Sequence, residues 1–228
     1  MLFYKASDDI MYKIMIISFY GENCFKISAR GGQNETTIIL TDPLSNQSGL
    51  TPARLKPDIL IKTLTAFPVV ESPDCQCRQI LGPGEYNLKN TDIRGFNLNK
   101  ESTEKFLKTV YLIKIEDIKL GFLGHLSELN NLEPEILEYF EEIDLLFIPA
   151  GGSPFIDQKS AIKLIKQLEP KIVIPTLFKI PGLKRKTDDV KKFIEEFNCQ
   201  KTTPQEKLTI KKKDLEEIKK TEIIVLRP

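Results

Sequence analysis

The chain contains one histidine, His125, within Leu123-Gly124-His125-Leu126, between an apolar run and a polar turn. A neutral imidazole can act as a general base, a proton shuttle or one ligand to a metal. A catalytic zinc, however, asks for about three protein ligands and an open position for water. The carboxylates that could share a pocket with His125 are Glu22, Asp42 and Glu85, all next to turn residues. Together they could hold a cation weakly or move a proton; separately each reads as an ordinary exposed or turn-capping side chain. Asp74-Cys75-Gln76-Cys77 offers two thiols one residue apart, but without a second pair it falls short of a zinc-ribbon pattern. Gly151-Gly152-Ser153 precedes a helical pattern and either cradles an anion or makes a tight turn. Lys184-Arg185-Lys186 and Lys211-Lys212-Lys213 lack interleaved aromatics; they serve solubility or contact phosphate or RNA.

These residues have to be positioned by a chain that changes rhythm half-way. The apolar runs Tyr12–Tyr20, Cys24–Ser28 and Thr36–Thr41 are separated by turn signals at 21–23 and 29–34, which predicts an antiparallel meander. Asp58–Lys62 is a further short strand. Residues 63–77, with Pro68, Pro73 and two cysteines, read as a loop. Arg78–Leu81, Glu85–Leu88 and Asp92–Asn97 read as strands, and Val110–Ile115 with Lys119–Leu123 as a hairpin across Glu116-Asp117. The second half alternates. Leu132–Phe140 has helical spacing and Asp144–Pro149 is a buried strand. Asp157 opens a helix with Ala161, Ile162, Leu164, Ile165 and Leu168 on one face. Lys171–Pro175 is a strand, Thr187-Asp188-Asp189 caps a helix bearing Val190, Phe193, Ile194 and Phe197, and Glu222–Leu226 is the final strand. A meander followed by alternating elements implies two sheets with helices outside.

Composition narrows the function classes. With 41% hydrophobic and 29% charged residues among 228, the chain is globular, and its net charge of +1 gives no global attraction for nucleic acid or membrane. Residues 159–228 carry 18 Lys+Arg against 10 Asp+Glu, leaving 15 against 22 for residues 1–158. That asymmetry reads as solvated helix faces or as complementary surfaces for self-association. No apolar run reaches the ~20 residues of a membrane span. Cys24, Cys75, Cys77 and Cys199 are too sparse for a disulfide framework, so a reduced, cytoplasmic protein is expected, with Cys24 an inert buried thiol.

Several stretches, in order, resemble the metallo-β-lactamase fold in its branch similar to ascorbate-6-phosphate lactonase. They are Tyr20-Gly21-Glu22-Asn23-Cys24-Phe25, Leu40-Thr41-Asp42-Pro43, Leu81-Gly82-Pro83-Gly84-Glu85-Tyr86, Phe122-Leu123-Gly124-His125-Leu126, Ile148-Pro149-Ala150-Gly151-Gly152 and Pro170-Lys171-Ile172-Val173-Ile174-Pro175. The resemblance runs from about residue 15 to the C-terminus as one domain, with residues 1–14 an extension or an alternative start. It implies an α/β (α+β) fold, a four-layer αββα sandwich with metals held by loops at one edge of the sheets.

The same resemblance implies that the metal ligands are gone. Against the family's Thr-His-x-His-x-Asp-His stands Thr63-Leu64-Thr65-Ala66-Phe67-Pro68-Val69, so Leu64, Ala66 and Val69 occupy histidine positions and Pro68 the aspartate position. His125 stands where the family has a bridging aspartate, Leu177 where it has the last histidine, and no histidine lies near Asn97–Lys100. Glu22 takes a His or Gln position, and Asp42 matches a residue that supports ligands from behind. A metal would lower the pKa of its water from about 15.7 to near 7; without ligands that nucleophile is lost. The leading expectation is therefore a pseudoenzyme with no cofactor, binding a small molecule or protein in a pocket made apolar by Leu64, Ala66, Phe67, Val69 and Leu177. Its rival is a zinc- or manganese-dependent hydrolase rebuilt around His125, Asp42, Glu22 and Glu85, with Cys75 or Cys77 as further candidates. An RNA-associated scaffold comes third, with nucleic acid an improbable partner on the overall charge.

Overall fold

The computed structural model describes residues 14–30, 35–73, 75–198 and 202–228. β1 (Met15–Gly21), β2 (Cys24–Arg30) and β3 (Thr36–Thr41) form the expected antiparallel meander, β2 running through two residues assigned to a turn. Residues 31–34 of that turn, and 12–13 of the first apolar run, lie outside the described residues. β4 (Ile59–Ile61) joins β3 in parallel, and β5 (Leu64–Ala66) and β6 (Arg78–Ile80) follow. β7 (Gly84–Leu88), β8 (Thr91–Asn97), β9 (Phe106–Ile115) and β10 (Ile118–Phe122) form a second antiparallel run. The chain continues with α1 (Pro134–Tyr139), β11 (Leu145–Pro149), α2 (Gln158–Leu168), β12 (Ile172–Thr176) and α3 (Val190–Glu196). It ends with β13 (Lys207–Ile210), α4 (Lys212–Glu217) and β14 (Glu222–Ile223).

Two sheets result. One has the order β13-β1-β2-β3-β4-β6; the other runs β14-β12-β11-β10-β9-β8-β7, with β5 added against β9. They meet through aromatic side chains. Phe25 of β2 lies 4.8 Å from Phe147 of β11 and 6.5 Å from Phe122 of β10, edge to face in both cases, the geometry that ring quadrupoles favour. β11 and β12 are buried along their whole length, as parallel strands covered on both faces must be. α2 covers that sheet with the five apolar residues its spacing predicts, and Asp157 caps it by accepting the Ser160 N–H at 3.0 Å. The two sheets with few helices make the mixed α/β architecture of a metallo-β-lactamase fold.

Besides α4, which the basic cluster at 211–213 concealed, two elements depart from the sequence reading. Residues 64–66, assigned to a loop, are strand β5, because the first residues of β9 extend beyond β10 and leave an edge to be paired. β13 is the other. Its four residues alternate exposed and buried, too short a pattern to stand out, and it pairs with β1 at the edge of the first sheet. The expectation of free thiols also fails in part. Cys75 and Cys77 are joined in a local disulfide, one residue between them being enough for contact, whereas Cys24 is free and buried.

Candidate functional site

Four connections converge at one edge of the two sheets: the β1–β2 turn, the segment after β3, the β4–β5 link and the loop after β10. Each contributes one polar side chain to a buried network. Asp42 is its hub. Its carboxylate accepts the Thr63 backbone N–H at 2.8 Å, the Thr63 hydroxyl at 2.6 Å and the Asn23 amide. Since the Thr63 proton goes to Asp42, the Thr63 oxygen is left to accept from His125 Nδ1, 2.9 Å away. The network therefore assigns the Nδ1–H tautomer and leaves His125 Nε2 an acceptor. Asp42 and His125 thus communicate through Thr63 rather than by a direct pair. Gly124, at φ +54°, allows the approach, because a Cβ there would collide with the Thr63 side chain.

Burial sets the electrostatics. It pushes the Asp42 carboxyl above its usual range, and the hydrogen bonds from Thr63 and Asn23 and the charge of Lys62 only partly offset this. Burial, helped by the Arg185 and Lys108 cations, depresses His125 to about 4, against opposition from Glu22 and Glu101. At neutral pH the imidazole is uncharged. Cys24, beside this network in sequence, is pushed up to about 12 by burial, so its thiol is unreactive.

In front of the network lies a cavity of about 190 Å³, lined by Glu22, Asn23, Asp42, Pro43, Ser45, Lys62, Leu64 and His125. Its wall is more polar than expected. Of the apolar residues predicted to line it, only Leu64 does. Ala66, Phe67, Pro68 and Val69 are exposed, and Leu177 is buried. Leu177 N–H instead donates to the Glu22 carbonyl at 2.8 Å, tying the residue after β12 to the first turn. Glu22 points its carboxylate at Arg185, whose Nε donates at 2.9 Å and whose guanidinium lies 5.4 Å from the Phe155 ring. Behind His125, Lys108 Nζ donates to its carbonyl at 2.9 Å and pairs with buried Glu101 at 2.7 Å. Burial alone would raise Glu101, but Lys108 and the Ser127 and Asn131 donors outweigh it and hold the carboxyl below its usual range.

Glu85 does not join this group. It lies on β7, paired with Arg94 at 3.0 Å, in a separate cavity with Tyr86 and Lys114, because the Gly-Pro-Gly turn before it leads away from the network. Gly151-Gly152 is also accounted for, as the Gly151 carbonyl accepts the Asp188 N–H at 2.7 Å. Sequence reasoning missed Asn23, Thr63, Lys62 and Arg185. Asn23 and Thr63 carried the only available signal, being polar residues inside otherwise apolar motifs.

Comparison with known proteins places this geometry in a family. A model described as a beta-lactamase superfamily domain matches residues 16–177. The chain belongs to the metallo-β-lactamase superfamily. Solved structures agree on the fold. A putative zinc-dependent hydrolase of the superfamily from Thermotoga maritima aligns with TM-score 0.71 and 24% identity, over 93% of this chain and 98% of that one. A metallo hydrolase from Ignicoccus hospitalis aligns with TM-score 0.59 and 15% identity, over 87% and 99%. A putative metal-dependent hydrolase from Parabacteroides distasonis gives 0.56 and 14%, over 94% of each chain. No curated protein matches the sequence.

Superfamily members described as metal-dependent raise the question whether these residues fit a metal. They do not. Leu64, Ala66, Val69 and Leu177 have no donor atoms, and Asp42 already accepts from three donors. Glu22 is engaged by Arg185. His125 remains, with Lys62 in the same cavity and Arg185 close enough to depress its pKa, and both charges repel a dication. Among the described residues no group of three His, Cys, Asp or Glu side chains converges as a metal site would require.

Proposed function

We propose that the chain is a metal-independent member of its superfamily that acts by binding in the cytoplasm, a pseudoenzyme rather than a hydrolase. The supporting observation is a substitution of roles. Where metal ligands belong stand exposed or ligand-free side chains, and the residues placed to support ligands hydrogen-bond to one another instead. Lys62 supplies positive charge at the cavity, and Arg185 adds to it through its pair with Glu22 in the cavity wall. The deciding experiment is metal analysis of protein produced in zinc- and manganese-supplemented medium. Substoichiometric metal is expected; one equivalent that disappears in His125→Ala would overturn the reading.

A second reading has one observation in its favour. His125 is neutral, its Nε2 is free to accept a proton, and it lines a cavity, which are the requirements of a general base. Turnover of activated esters or lactones in the presence of chelator, lost in His125→Gln, would establish it. Absence of turnover beyond the buffer rate would remove it.

A further inference from the structure

A second concavity lies beyond the network, where the chain runs from β12 to α3. Residues 179–189 enclose about 560 Å³, and four cations line it: Lys179, Lys184, Arg185 and Lys186. The backbone of this segment is fixed at several points. Lys179 N–H donates to the Asp188 carbonyl at 2.9 Å, and Lys184 N–H to the Ser48 carbonyl at 2.9 Å. The concavity is therefore built into the fold.

The nearby carboxylates are occupied. Glu22 holds Arg185, Asp188 accepts Lys192 at 2.8 Å and Gln158 at 3.2 Å, and Asp189 accepts the Lys191 N–H at 2.9 Å as the cap of α3. Lys179, Lys184 and Lys186 have no ion pair or side-chain hydrogen bond among the described residues. Three ammonium groups and a guanidinium outnumber the Asp189 carboxylate that also lines the concavity and focus a positive potential there. Arg185 is the fixed point of the four. Its Nε is anchored on Glu22 and its plane rests near Phe155, so its terminal nitrogens are presented already oriented.

We propose that this cavity binds an oligophosphate chain, either free or as the phosphate tail of a small molecule. Arg185 would take one phosphate in its planar fork, and the lysines would follow the remaining charges as mobile point donors. A single carboxylate would need neither the volume nor four cations. Single-stranded RNA fits less well, because no aromatic side chain lines the cavity to stack a base. Recognition then rests on the phosphates, so the rest of such a ligand contributes little. The proposal is independent of whether metal or catalysis exists at the His125 cavity.

Calorimetric titration of inorganic tripolyphosphate into the full chain in 50 mM NaCl tests it. Saturable one-to-one binding is expected, weakening roughly tenfold at 200 mM salt, with a nucleoside triphosphate binding within about threefold of tripolyphosphate by the argument from unlined bases. The double variant Lys184→Gln/Lys186→Gln should weaken binding tenfold or more, on the order of two lost charge contacts. Lys163→Gln/Lys166→Gln, which removes the same charge from the exposed face of α2, should change it less than about twofold. Thermal melts check that both variants fold. No saturable binding, equal loss in the two double variants, or binding of a single-stranded RNA oligonucleotide where tripolyphosphate fails would each overturn the proposal.

Discussion

Two parts of the candidate site differ sharply in how they are held. On one side Asn23, Asp42, Thr63 and His125 form a closed, buried set of hydrogen bonds. On the other, Ala66, Phe67, Pro68 and Val69 lie exposed with no donor to offer. The difference follows from what each group is joined to. The buried set joins four loops across the two sheets, so losing any member leaves a buried partner unsatisfied. The exposed segment is held through its backbone, by the pairing of Ala66 with Phe106 and the Phe67 N–H donated to the Lys105 carbonyl, so its side chains carry little of the fold.

The comparison can be broken most directly at Asp42. Asp42→Ala strips the acceptor from the Thr63 N–H, the Thr63 hydroxyl and the Asn23 amide. It should lower unfolding free energy by about 3 kcal/mol, the scale of several buried donors left unpaired, as read by urea denaturation. A loss below about 1 kcal/mol would mean that the network is ornamental.

Acid provides the next test. His125 has a folded pKa of about 4, below the ordinary 6.5, so the unfolded chain binds the proton first as pH falls. Stability from this group is complete above about pH 6.5 and drains away down to about pH 4, a span worth roughly 3 kcal/mol. Asp42, with its pKa raised, has the opposite sign: its contribution falls as pH rises through the folded pKa. Comparing the pH dependence of wild type with His125→Gln isolates the imidazole. An unchanged acid limb would show that it is not buried as described.

Arg185→Gln sharpens the comparison from the surface. Removing a cation that depresses His125, and releasing Glu22 which raises it, should move the imidazole pKa upwards. Lys108 would still lower it and Glu101 still raise it. With one histidine in the chain, its ring proton gives one NMR resonance to titrate, and a pKa that stays or falls would refute the coupling. The smallest effect belongs to the exposed segment. Ala66→His should change stability by no more than about 0.5 kcal/mol, as surface substitutions do, and should not confer stoichiometric zinc, both measurable on one preparation.

Much of this was legible in the sequence, and what was not has a physical reason. α2 announced itself completely, since an aspartate cap and five apolar residues at helical spacing are local signals. That Leu64 and Leu177 have no donor atoms is equally plain from their residue types. β5 and β13 were invisible because three and four residues carry too little periodicity, and what makes them strands is a neighbour's free edge. Arg185 read as one member of a basic cluster. Its partner Glu22 lies 163 residues away, and only the fold brings the two together. The cavity wall was misjudged for a related reason: which way residues 66–69 face is set by the backbone of β5 and the segment after it, not by their apolar character.

The pairing of β13 with β1 has a consequence for how the chain is made. Met15 pairs with Ile210, and Ile17 with Leu208, so β1 is synthesised long before the strand that covers its edge. Until then its outer edge is an open template carrying Met15, Ile17 and Phe19, side chains that end fully or almost fully buried. Unsatisfied edges of that kind invite pairing with another nascent chain. Synthesis that stalls before residue 207 should therefore release an aggregation-prone product, although nearly all of the superfamily domain has been translated.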